Sequence, residues 1–113
     1  MSNHIMTFNI FKNNNLPAKN HIFKKDNFFD MEVDDIQSII NNKLKDCRDL
    51  TLYLEQLSPL TLEVCSYCYI HNIALTLLYY DRSTGECYPE EFLSRHEARY
   101  RQEILELESQ VVL

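Results

Sequence analysis

A small, single-domain α+β fold is predicted by three observations in this sequence. Apolar residues recur with helical spacing at Val33, Ile36, Ile40, Leu44 and Cys47. A short apolar run, Ala74 to Tyr80, leads into Asp81-Arg82-Ser83-Thr84-Gly85, a stretch with the chemistry of a hairpin turn. One glycine and three prolines in 113 residues leave few tight turns for an all-β fold. The expectation is about four helices, a short β-hairpin with strands near 74–80 and 86–88, and an N-terminal strand.

The N-terminal strand rests on the alternation over Ile5–Phe11, where Met6, Phe8 and Ile10 fall on one side. Asn13-Asn14-Asn15 and Leu16-Pro17 end it. The following residues are rich in Asn and Lys, with Ile22, Phe23, Phe28 and Phe29 as apolar anchors. Residues 1–29 hold four lysines against Asp26, a balance of +3, while the remainder holds seven basic and sixteen acidic residues, a balance of −9. This reads as a partly ordered basic arm, 1–29, ahead of a globular α+β domain, 30–113.

The first helix is expected from an Asp30 N-cap, with Glu32, Asp34 and Asp35 on the favourable side of the helix dipole and Lys43, Lys45 and Arg48 at the other end. A short second helix is expected from Asp49, with Leu50, Tyr53, Leu54 and Leu57 inward. Ser58-Pro59 supplies an N-cap and a first helical position for the third, which turns Leu60, Val64, Tyr67, Cys68 and Ile70 inward. His71-Asn72 stops that helix, because Asn tolerates the left-handed conformation of a helix end. Ala74–Tyr80 then reads as a strand covered on both faces, with one helix running through to Tyr80 as the alternative. Pro89, Glu90 and Glu91 are expected to open the last helix, whose stripe is Leu93, His96, Tyr100, Ile104, Leu107 and Val111.

The net charge of −6 and a pI near 5.1 disfavour sequence-independent binding to a nucleic-acid backbone, which requires excess Lys and Arg. Four cysteines, without a basic-then-apolar leader, suggest reduced thiols and a cytoplasmic location. No apolar run long enough for a membrane span is uninterrupted, since Glu63, His71 and Asn72 break the longest. Cys65-x-x-Cys68 has ligand spacing, but a zinc site needs a second pair, and a redox pair opens a helix rather than lying within one. Core packing is the expected role of these thiols; neither a metal nor a cofactor is expected. His71 and His96 lack an evident orienting partner, and no phosphate loop or nucleophile motif is present.

No catalytic site is therefore expected. The sequence points to a small acidic interaction protein that binds and inhibits or regulates a macromolecular partner, of the kind seen among immunity proteins, antitoxins, anti-defence inhibitors and chaperones. Its contact residues are expected among Asp34, Asp35, Glu90, Glu91, Glu97, Arg99 and Arg101, with a protein as partner. The alternative is a homodimeric nucleic-acid-binding regulator that uses the basic arm and pairs through the helix over 90–110. A small enzyme using His71 or His96 ranks third.

Overall fold

Alternation decides the fate of residues 49–54. In Asp-Leu-Thr-Leu-Tyr-Leu, Leu50, Leu52 and Leu54 are fully buried, while Asp49, Thr51 and Tyr53 are half-buried on the other side. This is a strand, not the helix expected from the chance match of Leu50, Tyr53, Leu54 and Leu57 to helical spacing. Period two was present in the sequence and wins, because both neighbours of this strand offer it a ladder of backbone hydrogen bonds.

The computed structural model describes residues 4–25 and 30–110. Its elements are β1 (Ile5–Phe11), β2 (His21–Phe23), α1 (Val33–Leu44), β3 (Asp49–Leu54), α2 (Pro59–Ile70), β4 (Ala74–Asp81), β5 (Glu86–Leu93) and α3 (Arg95–Gln110). The five strands form one mixed sheet in the order β2-β1-β3-β4-β5; only β5 runs antiparallel to its neighbour. The class is α+β in a single domain, with three helices among the described residues in place of four, and a larger sheet than a hairpin plus one strand.

Residues 5–23 carry β1 and β2, and β1 lies inside the sheet between β2 and β3. Phe8, Ile10, Ile22 and Phe23 join the same buried cluster as α1, α2, β3 and β4. Buried Asn9 holds the β1–β2 connection in place. Its side chain donates to the Ala18 carbonyl at 2.8 Å and accepts from the Ala18 amide at 3.0 Å. The anchors Phe28 and Phe29 and the stripe residue Val111 lie outside the described residues.

Helix α1 starts at Val33 with Glu32 as N-cap, two residues beyond the expected Asp30, and no side chain caps it. Its inward stripe is Ile36, Ile40 and Leu44. Helix α2 follows the sequence closely: Ser58 Oγ accepts from the Thr61 amide at 3.2 Å, and Pro59 is the first helical residue. It ends at Ile70. Asn72 takes φ 56°, and the Ile73 amide donates to the Cys68 carbonyl at 2.8 Å, closing the helix end. The β4–β5 turn is also as expected. Asp81 Oδ1 accepts from the Ser83 amide at 2.9 Å, and Gly85 sits at φ 73°, where a side chain would be strained.

Pro89 does not open a helix. Residues 86–93 are β5, an edge strand, where the missing proline N–H is tolerated. The true start of α3 is Ser94, whose Oγ accepts from the Glu97 amide at 3.0 Å. Ser94-x-x-Glu97 is a capping-box pattern that the more prominent Pro-Glu-Glu obscured.

Helices α1 and α2 pack against each other and share one buried cluster with Leu50, Leu52, Leu54, Leu75 and Leu77. They cover one face of the sheet. The expected burial of β4 on both faces therefore does not occur. Its Leu75 and Leu77 are buried, while Thr76, Leu78 and Tyr80 on the alternate side are half-buried and outside the core cluster. No helix among the described residues is long and apolar enough to cross a membrane.

Candidate interaction surface

The uncovered sheet face is built by strand alternation. Burying Leu50, Leu52, Leu54, Leu75 and Leu77 beneath the helices forces Thr51, Tyr53, Thr76, Leu78 and Tyr80 to the other side. Register then aligns them in rows. Thr7, Thr51, Thr76 and Glu91 form one row, and Tyr53, Leu78 and Pro89 the next. Helix α3 touches this side only at its amino end, where Ala98 packs with Ala74 and Leu93.

At the carboxyl ends of β3 and β4 this face runs into an open cleft of about 660 Å³, lined by Tyr79, Tyr80, Tyr88, Glu55, Asp81 and Arg82, with Gln56 beside them. Tyr79 and Tyr88 are cross-strand partners on the helix side of the sheet, where Tyr79 packs against the core, while Tyr53 and Tyr80 are on the uncovered side. Three of the chain's seven tyrosines thus line this cleft, and Tyr53 lies on the uncovered face near it. Tyrosine offers a large apolar ring with a polar tip, which makes it the residue of interface anchors.

Acidic groups surround this corner. Glu55 accepts from Arg82 at 2.9 Å and from Asn13 Nδ2 at 2.8 Å, tying the carboxyl ends of β1, β3 and β4 together. Arg82 remains largely exposed, so the pair positions more than it stabilises. Hydrogen bonds from Ser83 hold the Asp81 carboxyl below its usual range. Tyr88 donates to Glu86 at 2.9 Å. Burial, and then the nearby Glu90 carboxylate, push the Tyr79 hydroxyl upward, so it stays a neutral donor.

The residues singled out in the sequence fall in three places. Glu90 and Glu91 lie on β5 beside the tyrosine corner, opposite Leu77 and Thr76, not at a helix start. Asp34 and Asp35 are in the first turn of α1, where they serve its dipole. Glu97, Arg99 and Arg101 are on α3. Arg101 turns back to the body: its Nε donates to Asn72 Oδ1 at 2.9 Å, and its guanidinium lies over the Tyr69 ring. Tyr53, Leu78 and Tyr80 were missed. The signal was the strict alternation through 49–54, since recognising β3 there implies a sheet whose second face must be accounted for.

A second cleft, of about 750 Å³, separates α3 from the amino ends of β1, β3 and β4, with His71, Arg48 and Arg99 in its walls. Arg95 spans it to pair with Asp49. His71 stacks on Tyr67 at 4.2 Å between ring centroids, and His96 is exposed on α3. Cys65 and Cys68 are buried along α2, and burial pushes the Cys65 thiol up to about 11. Among the described residues, no three His, Cys, Asp or Glu side chains gather as a metal site would need.

Comparison with protein-family models, with curated proteins and with solved structures found no match to this chain.

Proposed function

We propose that this is a non-enzymatic interaction protein that binds a basic surface of a protein partner and inhibits or regulates it. The supporting observation is the tyrosine-rich end of the sheet: Tyr53 and Tyr80 lie on the face that α1 and α2 leave uncovered, Tyr79 and Tyr88 on the opposite face at the β4–β5 edge, with Glu55 and Asp81 in the cleft wall and Glu86, Glu90 and Glu91 along β5. Aromatic anchors supply affinity at the centre of such a patch, and the acidic rim steers a basic partner toward it. A nucleic-acid partner fits this corner poorly. Aromatic rings on a sheet can stack bases, but they need a cationic groove to track the phosphates, and here only Arg82 is basic, already paired with Glu55.

The experiment is a binding comparison between the wild-type chain and a Leu78→Thr/Tyr80→Thr variant. Threonine keeps strand propensity while removing the apolar contact, so the fold is retained. Loss of the partner with an unchanged circular-dichroism spectrum supports the reading. Equal partner recovery by both proteins counts against it.

A further inference from the structure

Residues 4–25 hold four lysines and no aspartate or glutamate. Strand pairing gathers this charge at one edge of the sheet. Phe11 and Phe23 are partners in the β1–β2 register, and the Lys12 amide donates to the Phe23 carbonyl at 2.9 Å, so Lys12 and Lys24 leave adjacent strands next to one another. Helix α1 packs against β2 and adds Lys43 from its last turn. His21, at the start of β2, registers the result. It titrates below its ordinary value, first through partial desolvation and then because Lys43, Lys12 and Lys24 stand around it.

None of these lysines has a carboxylate at ion-pair distance among the described residues, where the pairs are Arg82–Glu55 and Arg95–Asp49. Their charge is therefore not used within the chain. Edge protection does not explain it. Lysine guards an exposed strand against pairing, but β2 is only three residues long, already too short to template a partner, and Lys43 comes from a helix. Nor do the acids cancel it. Asp34 and Asp35 sit at the far end of α1. Strand β5, with Glu86, Glu90 and Glu91, is four strand spacings from β2, roughly 19 Å, and exposed charges more than about 8 Å apart are largely screened at physiological salt.

We propose that this edge, with Lys12, Lys24 and Lys43 at its centre, binds the phosphate backbone of nucleic acid without reading bases. Lysine is a point charge on a flexible stem, which suits phosphates in a row. A site built for carboxylates favours the planar fork of arginine, and no arginine precedes Arg48. The β1–β2 connection adds exposed Asn14 and Asn20, whose amides can donate to phosphate oxygens. Bases find no platform to stack on, because Phe23 is buried and Phe11 packs against it, with 6.5 Å between ring centroids. Binding is consequently independent of sequence and steeply dependent on salt. The acidic remainder of the chain confines it to this edge. The surface is at the other side of the sheet from the tyrosine cleft and does not rest on it, so either can fail alone.

Fluorescence anisotropy of the full chain with two labelled DNA duplexes of unrelated sequence tests this. Both are expected to bind equally, with an affinity that falls roughly hundredfold between about 50 and 200 mM salt, as for about four neutralised phosphates. Lys12→Glu with Lys24→Glu, both at exposed positions, weakens binding at least about tenfold while the circular-dichroism spectrum is unchanged. Lys43→Glu, on a different element, weakens it too, and Leu78→Thr/Tyr80→Thr leaves it as it was. Absence of binding at about 50 mM salt with the protein at roughly 100 μM overturns the proposal. So does binding indifferent to the lysine changes, and a polyglutamate peptide held as tightly as DNA overturns the assignment to nucleic acid.

Discussion

The guanidinium of Arg101 lies 3.7 Å from the centroid of the Tyr69 ring. It also donates to Asn72 Oδ1 at 2.9 Å and to the Tyr69 carbonyl at 3.0 Å. One side chain thus secures α3 to the carboxyl end of α2, using an aromatic face, a side-chain amide and a carbonyl that otherwise accepts only a long 3.4 Å bond from the Asn72 amide. Ala98 is the only buried residue of α3, so this polar clasp does what a hydrophobic seam does for α1 and α2.

Arg101→Ala is predicted to loosen α3 without unfolding the sheet. The expected loss is about 1–2 kcal/mol, from one cation–π contact and two charge-assisted hydrogen bonds at a partly exposed site. Hydrogen exchange checks it. Amides of residues 99–110 should exchange faster, and those of β3 and β4 should not change. Arg101→Lys should rescue little, because an ammonium cannot stack and fork as a guanidinium does.

Leu52→Ala should be far more costly, about 2–5 kcal/mol by urea denaturation. Leu52 is fully buried, paired in register with Phe8 and Leu77 at the middle of the sheet. Its removal leaves a cavity under both helices.

Gly85→Ala is predicted to destabilise the hairpin by about 1 kcal/mol, with Gly85→Asn close to neutral. A Cβ at Gly85 would meet nothing within 4 Å, so the cost is the positive φ alone. Thermal melts of the two variants separate backbone strain from crowding.

The buried thiols give a pH dependence. Burial raises Cys47 and Cys65 from an ordinary 9.0 to about 11, and pushes Cys68 higher still. Their folded-state pKa values lie above the unfolded one, so the folded chain holds more protons in between. The stability they contribute is complete below pH 9.0 and is lost as pH rises through about 11. A plot of Tm against pH should fall across that window, and Cys47→Ala with Cys65→Ala should make the fall shallower, Cys68 retaining its share. At pH 8 a thiol reagent should label the half-buried Cys87 first.

The α+β class, α1, α2 with its helix stop, and the β4–β5 turn were legible because each is local. Ser58-Pro59, His71-Asn72 and Asp81–Gly85 dictate their own backbone geometry through hydrogen bonds within a few residues. What was not legible is non-local. Residues 49–54 fit two periods, and the choice is made by β1 and β4 on either side. Pro89-Glu90-Glu91 carries a helix-start signature, yet the hairpin ladder runs on through Leu93 and delays the helix to Ser94. The tyrosine corner follows from the same cause. Tyr53, Tyr79, Tyr80 and Tyr88 are scattered over three strands, and only pairing brings them together.

The proposed role stands most directly on that corner. Affinity capture from source cells, quantified by mass spectrometry, should be run in parallel with the wild type, Leu78→Thr/Tyr80→Thr and, as a control at an exposed position of α3, Leu107→Asp. One dominant basic protein is expected to be held by the wild type and by Leu107→Asp, and lost by the sheet-face variant. Recovery of the same protein by all three, or of nucleic acid in its place, would contradict it.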